Sequence, residues 1–296
     1  MSSPVRGFLG IAAASILWGT TGTAASFAID LSPLAIGAFA MGVAALLLGL
    51  NSATLLHRHF QQIVHRPLLL CTGGTAVAIY PLAFYSSMHL AGVAVGTVVS
   101  IASAPLFAAL LEWIFDKRAV SRRWMVSFVL GVIGIVMLYA GKVVPPDSAN
   151  EAGSSTFWGL ILGLVAGLTY SLYSWVAKVH ISSGIASRAS MAAMFLLSSL
   201  VLLPSLVFTG ENLFTGPTNT GVVIYMALVP MFLGYLCFGY GLKTISASSA
   251  TLITLLEPAV AVILAVGLLG EQFHLIGWLG VSAILLSMLI QLERRS

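Results

Sequence analysis

The stretch TLITLLEPAVAVILAVGLLGEQF, Thr251 to Phe273, is apolar almost throughout, yet Glu257 stands inside it, directly before Pro258. With the surrounding apolar run taken as 247–269, Glu257 lies about 15 Å from one end and about 18 Å from the other at helical rise. An acid at that depth in a bilayer costs roughly 3 kcal/mol. A water-filled cavity, a partner group or a bound proton must offset that cost. Three chemistries are then open to Glu257: exchanging a proton, holding the ammonium group of a substrate, or bonding nearby backbone and hydroxyls as a neutral acid. Pro258 adds to this, because it has no N–H for the Thr254 carbonyl and so loosens the helix there. Pro105 holds the matching place in an earlier run, and both prolines are candidate hinges.

Aromatic residues with polar tips lie at comparable depth. Trp18, Tyr80, Tyr170 and Tyr235 each fall near the middle of an apolar run. They can line a pocket and stack on a flat apolar substrate, or simply pack between helices. Thr20, Thr21 and Ser103 offer hydroxyls to a substrate, or to their own helix backbone. Trp113, Trp124 and Trp175 fall toward one membrane interface, and Trp158 and Trp278 toward the other, where tryptophan anchors helices. Glu112 lies about one turn from the end of its run, beside Trp113 and Asp116, and is expected to snorkel into water. Glu271 lies just outside its own run, as a helix-end residue.

Hydrolytic and metal chemistry find little support. There is no H-E-x-x-H, no paired acidic cluster inside a run and no G-x-x-x-x-G-K-[ST] loop. All six histidines, His57, His59, His65, His89, His180 and His274, fall near run ends or in loops, and His57-x-His59 alone is a poor metal site. Cys71 and Cys237 both lie within apolar runs and suggest no disulfide framework. No cofactor is called for.

The elements that must position these residues follow from composition. The chain has 296 residues, 59% hydrophobic and only 7% charged, with mean hydropathy +1.03. A soluble chain carries about 25% charged residues, so the solvent here is lipid. A bilayer core about 30 Å thick takes roughly 20 helical residues to cross. Ten runs qualify, at approximately 7–29, 33–55, 68–88, 93–115, 122–141, 157–180, 190–208, 220–241, 247–269 and 274–292. The first is too long for the apolar part of a cleaved signal, and the alternation of a spanning barrel is missing. If the N-terminus is cytoplasmic, Arg6, Arg58, Arg66, Lys117, Arg118, Arg122, Arg123, Lys178, Arg188, Lys243, Arg294 and Arg295 all face that side, and only Lys142 faces out. Both termini are therefore expected in the cytoplasm. The pI near 9.2 reflects this sorting, with contacts to anionic lipid, rather than a nucleic-acid surface.

The polar, turn-rich segment KVVPPDSANEAGSST, 142–156, reads as a linker on the outer side. It separates five runs in 1–141 from five in 157–296. The halves are weakly alike: AGVAVGTVVSIASAPLF (91–107) lies over TISASSATLITLLEPAV (244–260), each with small residues and then a proline at the same offset. Five is odd, so the second half must be inverted relative to the first. Inverted repeats typify secondary transporters, whose sites lie at the midplane between the repeats. Small residues repeat every four positions at Gly92, Gly96, Ser100, Ala104 and Ala108, and at Gly159, Gly163 and Gly167, marking close helix contacts.

Over essentially its whole length the chain resembles the EamA-type branch of the drug/metabolite transporter superfamily. The features that carry the likeness are Leu17-Trp18-Gly19 in the first run, the small-rich runs holding Pro105 and Pro258, and Gly270-Glu271 before the last run. Lys117-Arg118 departs from the pattern, standing where Gly-Glu is usual. The resemblance implies an all-α integral membrane protein of ten helices in two inverted repeats. It implies a multi-pass location in a bacterial inner membrane, with a small-molecule substrate and no obligatory protein partner. The aromatic residues inside the runs resemble those of amino-acid exporters, which implies aromatic and other neutral amino acids as cargo. Sugar phosphates or drugs are the alternative cargo, and a membrane enzyme or receptor is the alternative class.

Overall fold

A computed structural model describes residues 3–142 and 154–292. Ten of its helices are long and apolar enough to cross a membrane. The first span runs Pro4–Ala25, the second Pro33–Asn51, the third Pro67–Ala91, the fourth Val95–Asp116 and the fifth Arg122–Ala140. The sixth runs Ser155–Ser182, the seventh Ser187–Thr209, the eighth Gly216–Gly241, the ninth Ala247–Leu269 and the tenth Leu275–Leu292. Nearly all of the expected linker, residues 143–153, lies outside the described residues.

Packing reproduces the repeat. The third and fourth spans pack along the sixth, and in the same way the eighth and ninth pack along the first. The second pairs with the seventh, the fifth with the tenth, and the fourth with the start of the ninth. Exchanging each span for the one five places later maps this set of pairs onto itself, as an inverted repeat requires. Pro4 and Val5 meet Gln291 and Leu292 around one cleft, so the first span begins on the face where the tenth ends. By the lysine and arginine count this is the cytoplasmic face.

Glycines set the closest approaches. A Cβ at Gly159 would lie 2.6 Å from Ala91, one at Gly163 would lie 2.9 Å from Ser87 Oγ, and one at Gly167 would fall on Ser103. Gly134 and Gly280 pair in the same manner between the fifth and tenth spans, each within 2.8 Å of the other's carbonyl if given a Cβ. Where apolar burial does not drive helices together, such contact is what holds them.

Four departures from the sequence reading have local causes. The second span stops at Asn51, and Ala53–Val64 forms a separate amphipathic helix whose Ile63 is buried while Arg58 and Phe60 stay exposed. Gly92 lies outside the fourth helix at φ 85°, joining it to the third, so the ladder of small residues begins at Gly96. Glu112 does not snorkel: it is buried at 5% exposure. Trp124 and Trp175 do not serve as interface anchors either. Both are buried, with their indole N–H groups donated to the Ser248 carbonyl at 3.2 Å and to Asp116 at 3.1 Å. Trp113, Trp158 and Trp278 do reach the exterior.

Candidate functional site

Three spans are irregular, and the irregularities converge. The first span is helical to Gly19, turns at Thr20 and resumes at Thr21–Ala25. The eighth contains a π segment, Ala227–Leu233, around Pro230. The ninth breaks into Ala247–Ile253 and Leu256–Leu269, and Glu257 and Pro258 begin the second piece. At this break the Glu257 N–H bonds the Thr254 carbonyl at 3.0 Å, a tighter turn than an α-helix makes. Irregular backbone at membrane depth is tolerated where it lines a cavity or is buried in protein, and π segments cluster at functional sites.

A cavity of about 420 Å³ lies at this convergence. Its walls come from the outer halves of the first, second, third, fourth, fifth and ninth spans, and Lys142, Leu269 and Glu271 lie toward its mouth. Trp18, Thr21, Phe84, Tyr85 and Glu257 line its deep end and are shared with a smaller chamber of about 50 Å³ beneath. Tyr80, Tyr170, Tyr173 and Tyr235 line that chamber as well. The structure is thus open to the outer face and closed toward the cytoplasm.

Aromatic rings form the floor. Trp18 packs 5.0 Å from Tyr235, 5.3 Å from Phe238 and 6.3 Å from Tyr170. Tyr80 lies 5.5 Å from Tyr170 and 6.0 Å from Tyr173, by ring centroids. Edge and tilted contacts of this kind are the favoured ones. Hydrogen bonds lock the assembly. Trp18 donates to the Pro230 carbonyl at 2.9 Å, Tyr170 donates to Thr254 Oγ1 at 3.0 Å, and the Tyr173 and Tyr235 hydroxyls meet at 3.0 Å. Leu17-Trp18-Gly19 has a direct reason in this geometry. Trp18 bonds the π segment, and a Cβ on Gly19 would lie 2.7 Å from Val260 and 2.9 Å from the Glu257 carbonyl.

Electrostatically the site is sparse. Lys142 and Glu271 pair at 3.2 Å, both partly exposed. The strand-like contact of Lys142 with Phe273 and the His274 N–H bond to the Gly141 carbonyl, 2.8 Å, secure the same corner. Glu271 is therefore a rim residue with a partner. The Glu257 carboxylate has no hydrogen bond or ion pair with any described residue, although the side chain is half-buried on the cavity wall.

Trp18, Thr21, Tyr80, Tyr170, Tyr235 and Glu257 come together around the inner chamber. Ser103 does not join them: its hydroxyl donates to the Ser100 carbonyl at 3.2 Å and packs where the fourth span meets Gly167 of the sixth. Thr20 points away and accepts from the Tyr225 hydroxyl at 2.8 Å. Pro258 sits at the break in the ninth span, whereas the fourth helix continues unbroken through Pro105. Tyr85 and Tyr173 also line the chamber, and depth within a run does not single them out. Tyr173 follows Tyr170 by three residues, on the same helix face, and that spacing was the available signal.

Two inverted sets of five helices around a mid-depth cavity open to one face define a membrane transporter. The comparisons with known proteins agree. The chain belongs to the EamA-like transporter family, which matches it twice, over residues 5–140 and 157–292. It is 30% identical over 283 residues to the uncharacterized transporter YwfM of Bacillus subtilis, covering 94% of this chain and 90% of that one. It is 27% identical over 195 residues to the uncharacterized inner membrane transporter YedA of Escherichia coli K12, covering 65% of this chain and 60% of that one. One solved crystal structure shares the fold at a TM-score of 0.79 and 14% identity, over 98% of this chain and 96% of the other.

Proposed function

We propose that the protein is an inner-membrane secondary transporter moving small amine-bearing metabolites by alternating access. Aromatic and other neutral amino acids are the first candidates, moved outward in the cell. The observation that carries the reading is the unpartnered Glu257 carboxylate set against an aromatic floor at the closed end of an outward-open cavity. Substrate enters the larger cavity and places its ammonium group at Glu257 and its flat part on the rings of Trp18 and Tyr80. The breaks in the first, eighth and ninth spans, together with Pro258, let the outer walls close while the cytoplasmic ends separate.

The reading is tested by reconstituting the purified protein in liposomes and measuring uptake of labelled tryptophan, threonine and a sugar phosphate, with and without a pH gradient. Protein-dependent uptake of tryptophan or threonine is the expected result, and the gradient separates proton-coupled from facilitated movement. Uptake of the sugar phosphate alone overturns the cargo class.

A further inference from the structure

The charges around the cavity narrow the cargo further, on the reading of the cavity as a transport site. Among the described residues lining the cavity and its inner chamber, the charged groups are Glu257, Lys142 and Glu271. Lys142 is paired with Glu271 at the rim. From Glu257 to the outer end of its helix at Leu269 is about 18 Å at helical rise. The ammonium and carboxylate of an α-amino acid hang on one carbon, so a molecule bound at Glu257 cannot also reach Lys142.

Donors that would otherwise hold a carboxylate are largely committed. The Trp18 indole bonds Pro230, the Thr21 hydroxyl bonds the Trp18 carbonyl at 2.7 Å, and the Tyr170 hydroxyl bonds Thr254. The hydroxyls of Tyr80 and Tyr85 remain, with whichever O–H of the Tyr173–Tyr235 pair is not the donor in that bond, and all are neutral. A carboxylate carried into this chamber would lose its water without gaining a counter-charge, beside an acid that repels it. A lone cation meets the opposite situation: one unpartnered carboxylate and the faces of a tryptophan and several tyrosines, which attract cations.

We infer that the site selects aromatic amines carrying a single positive charge and no carboxylate, in preference to the parent amino acids, and rejects aromatic acids. The test uses the full chain in lipid nanodiscs, with labelled tryptamine displaced by unlabelled tryptamine, tryptophan or indole-3-propionate. Tryptamine should compete at roughly one-tenth the concentration tryptophan requires or less, and indole-3-propionate should not compete. Glu257→Gln should bring tryptamine and tryptophan together, with its thermal melting measured alongside to establish folding. Should that variant not fold, the order of the three competitors on the unaltered chain still decides. Tryptophan competing as well as tryptamine overturns the inference. Tryptophan uptake in liposomes without tryptamine binding also overturns it, while leaving the transport reading intact. If neither compound binds or is taken up, the transport reading and the inference fall together.

Discussion

The carboxylate of Glu112 accepts both the backbone N–H of Ser248, at 3.2 Å, and its hydroxyl, at 2.5 Å. These residues lie 136 positions apart and join the cytoplasmic end of the fourth span to that of the ninth. Ser248 is in the first turn of its helix, where N–H groups lack intrahelical acceptors and negative charge is favourable. The Trp124 indole bonds the Ser248 carbonyl at 3.2 Å, so one residue is held from two sides. The Lys178 ammonium, on the sixth span, bonds the Leu242 carbonyl at 2.8 Å in the loop before the ninth. This is the closed face of the outward-open form. Opening inward must separate the same spans and release a buried carboxylate to water.

Removing Glu112 should therefore bias the protein toward inward opening. Glu112→Ala leaves the Ser248 N–H without its acceptor, a loss of about 1–3 kcal/mol from the outward-open form. Ser248→Ala keeps the N–H bond and should cost about 1 kcal/mol. The readout is maleimide labelling of a cysteine at Ser246, introduced after Cys71 and Cys237 are replaced. Labelling from the cytoplasmic side should rise in Glu112→Ala, and to a lesser degree in Ser248→Ala. Equal labelling in all three proteins would show that this contact does not govern closure.

Gly19 and Gly22 lie on the same span and should respond oppositely to one added carbon. At Gly19 a Cβ meets branched Val260 at 2.7 Å and the Glu257 backbone at 2.9 Å, and neither is the free end of a flexible chain. Gly19→Ala should lower stability by about 1–3 kcal/mol, as overpacking does. At Gly22 nothing lies within 4 Å of the new carbon, and the residue is helical. Gly22→Ala should be neutral or stabilising by up to about 1 kcal/mol. Thermal melting in detergent compares the pair.

The contrast between these residues and Glu112 shows what the sequence could reveal. Depth within an apolar run is a local quantity, so the ten spans, the mid-depth Glu257 and the polar-tipped aromatic residues were all readable. Their assembly followed from the inverted repeat, which makes residues at mid-depth on different spans meet between the halves. Partners on distant spans were not readable. Glu112 lies near enough to a span end to reach water, and nothing local marks Ser248 as its donor. Ser103 has the right depth, but a helix face cannot be chosen from depth. Its face turns toward Gly167 and the sixth span. The helix Ala53–Val64 was hidden for a related reason. Its first residues, Ala53 to Leu56, continue the apolar run of the second span, and only the helix end at Ser52 separates the two.

Trp18 links the site to the π segment, and its two roles can be separated. Trp18→Phe keeps an aromatic ring against Tyr235 and Phe238 but loses the 2.9 Å bond to the Pro230 carbonyl. Stability should fall by about 1 kcal/mol. Trp18→Leu removes the ring as well and should also weaken tryptamine binding by roughly tenfold. If Trp18→Phe weakens binding as much as Trp18→Leu does, the indole N–H rather than the ring face governs the site. Melting curves and displacement of labelled tryptamine read both effects.

Glu257 can serve a cation or a proton, and the two roles predict different behaviour in one variant. Glutamine keeps the size and polarity of the side chain but carries neither a charge nor an exchangeable acidic proton. If Glu257 couples proton movement to transport, Glu257→Gln should abolish uptake driven by a pH gradient while still permitting exchange of substrate already on both sides. If Glu257 only holds the substrate cation, the variant should lose affinity by roughly tenfold. At saturating substrate it should then keep whatever gradient dependence the unaltered protein has. Uptake at graded substrate concentrations, with and without the gradient, separates these outcomes. Unchanged pH-driven transport at every concentration would remove Glu257 from both roles. It would leave the carboxylate as a half-buried group beside a broken helix, with Tyr80 and Tyr85 as the next polar atoms in the chamber to substitute.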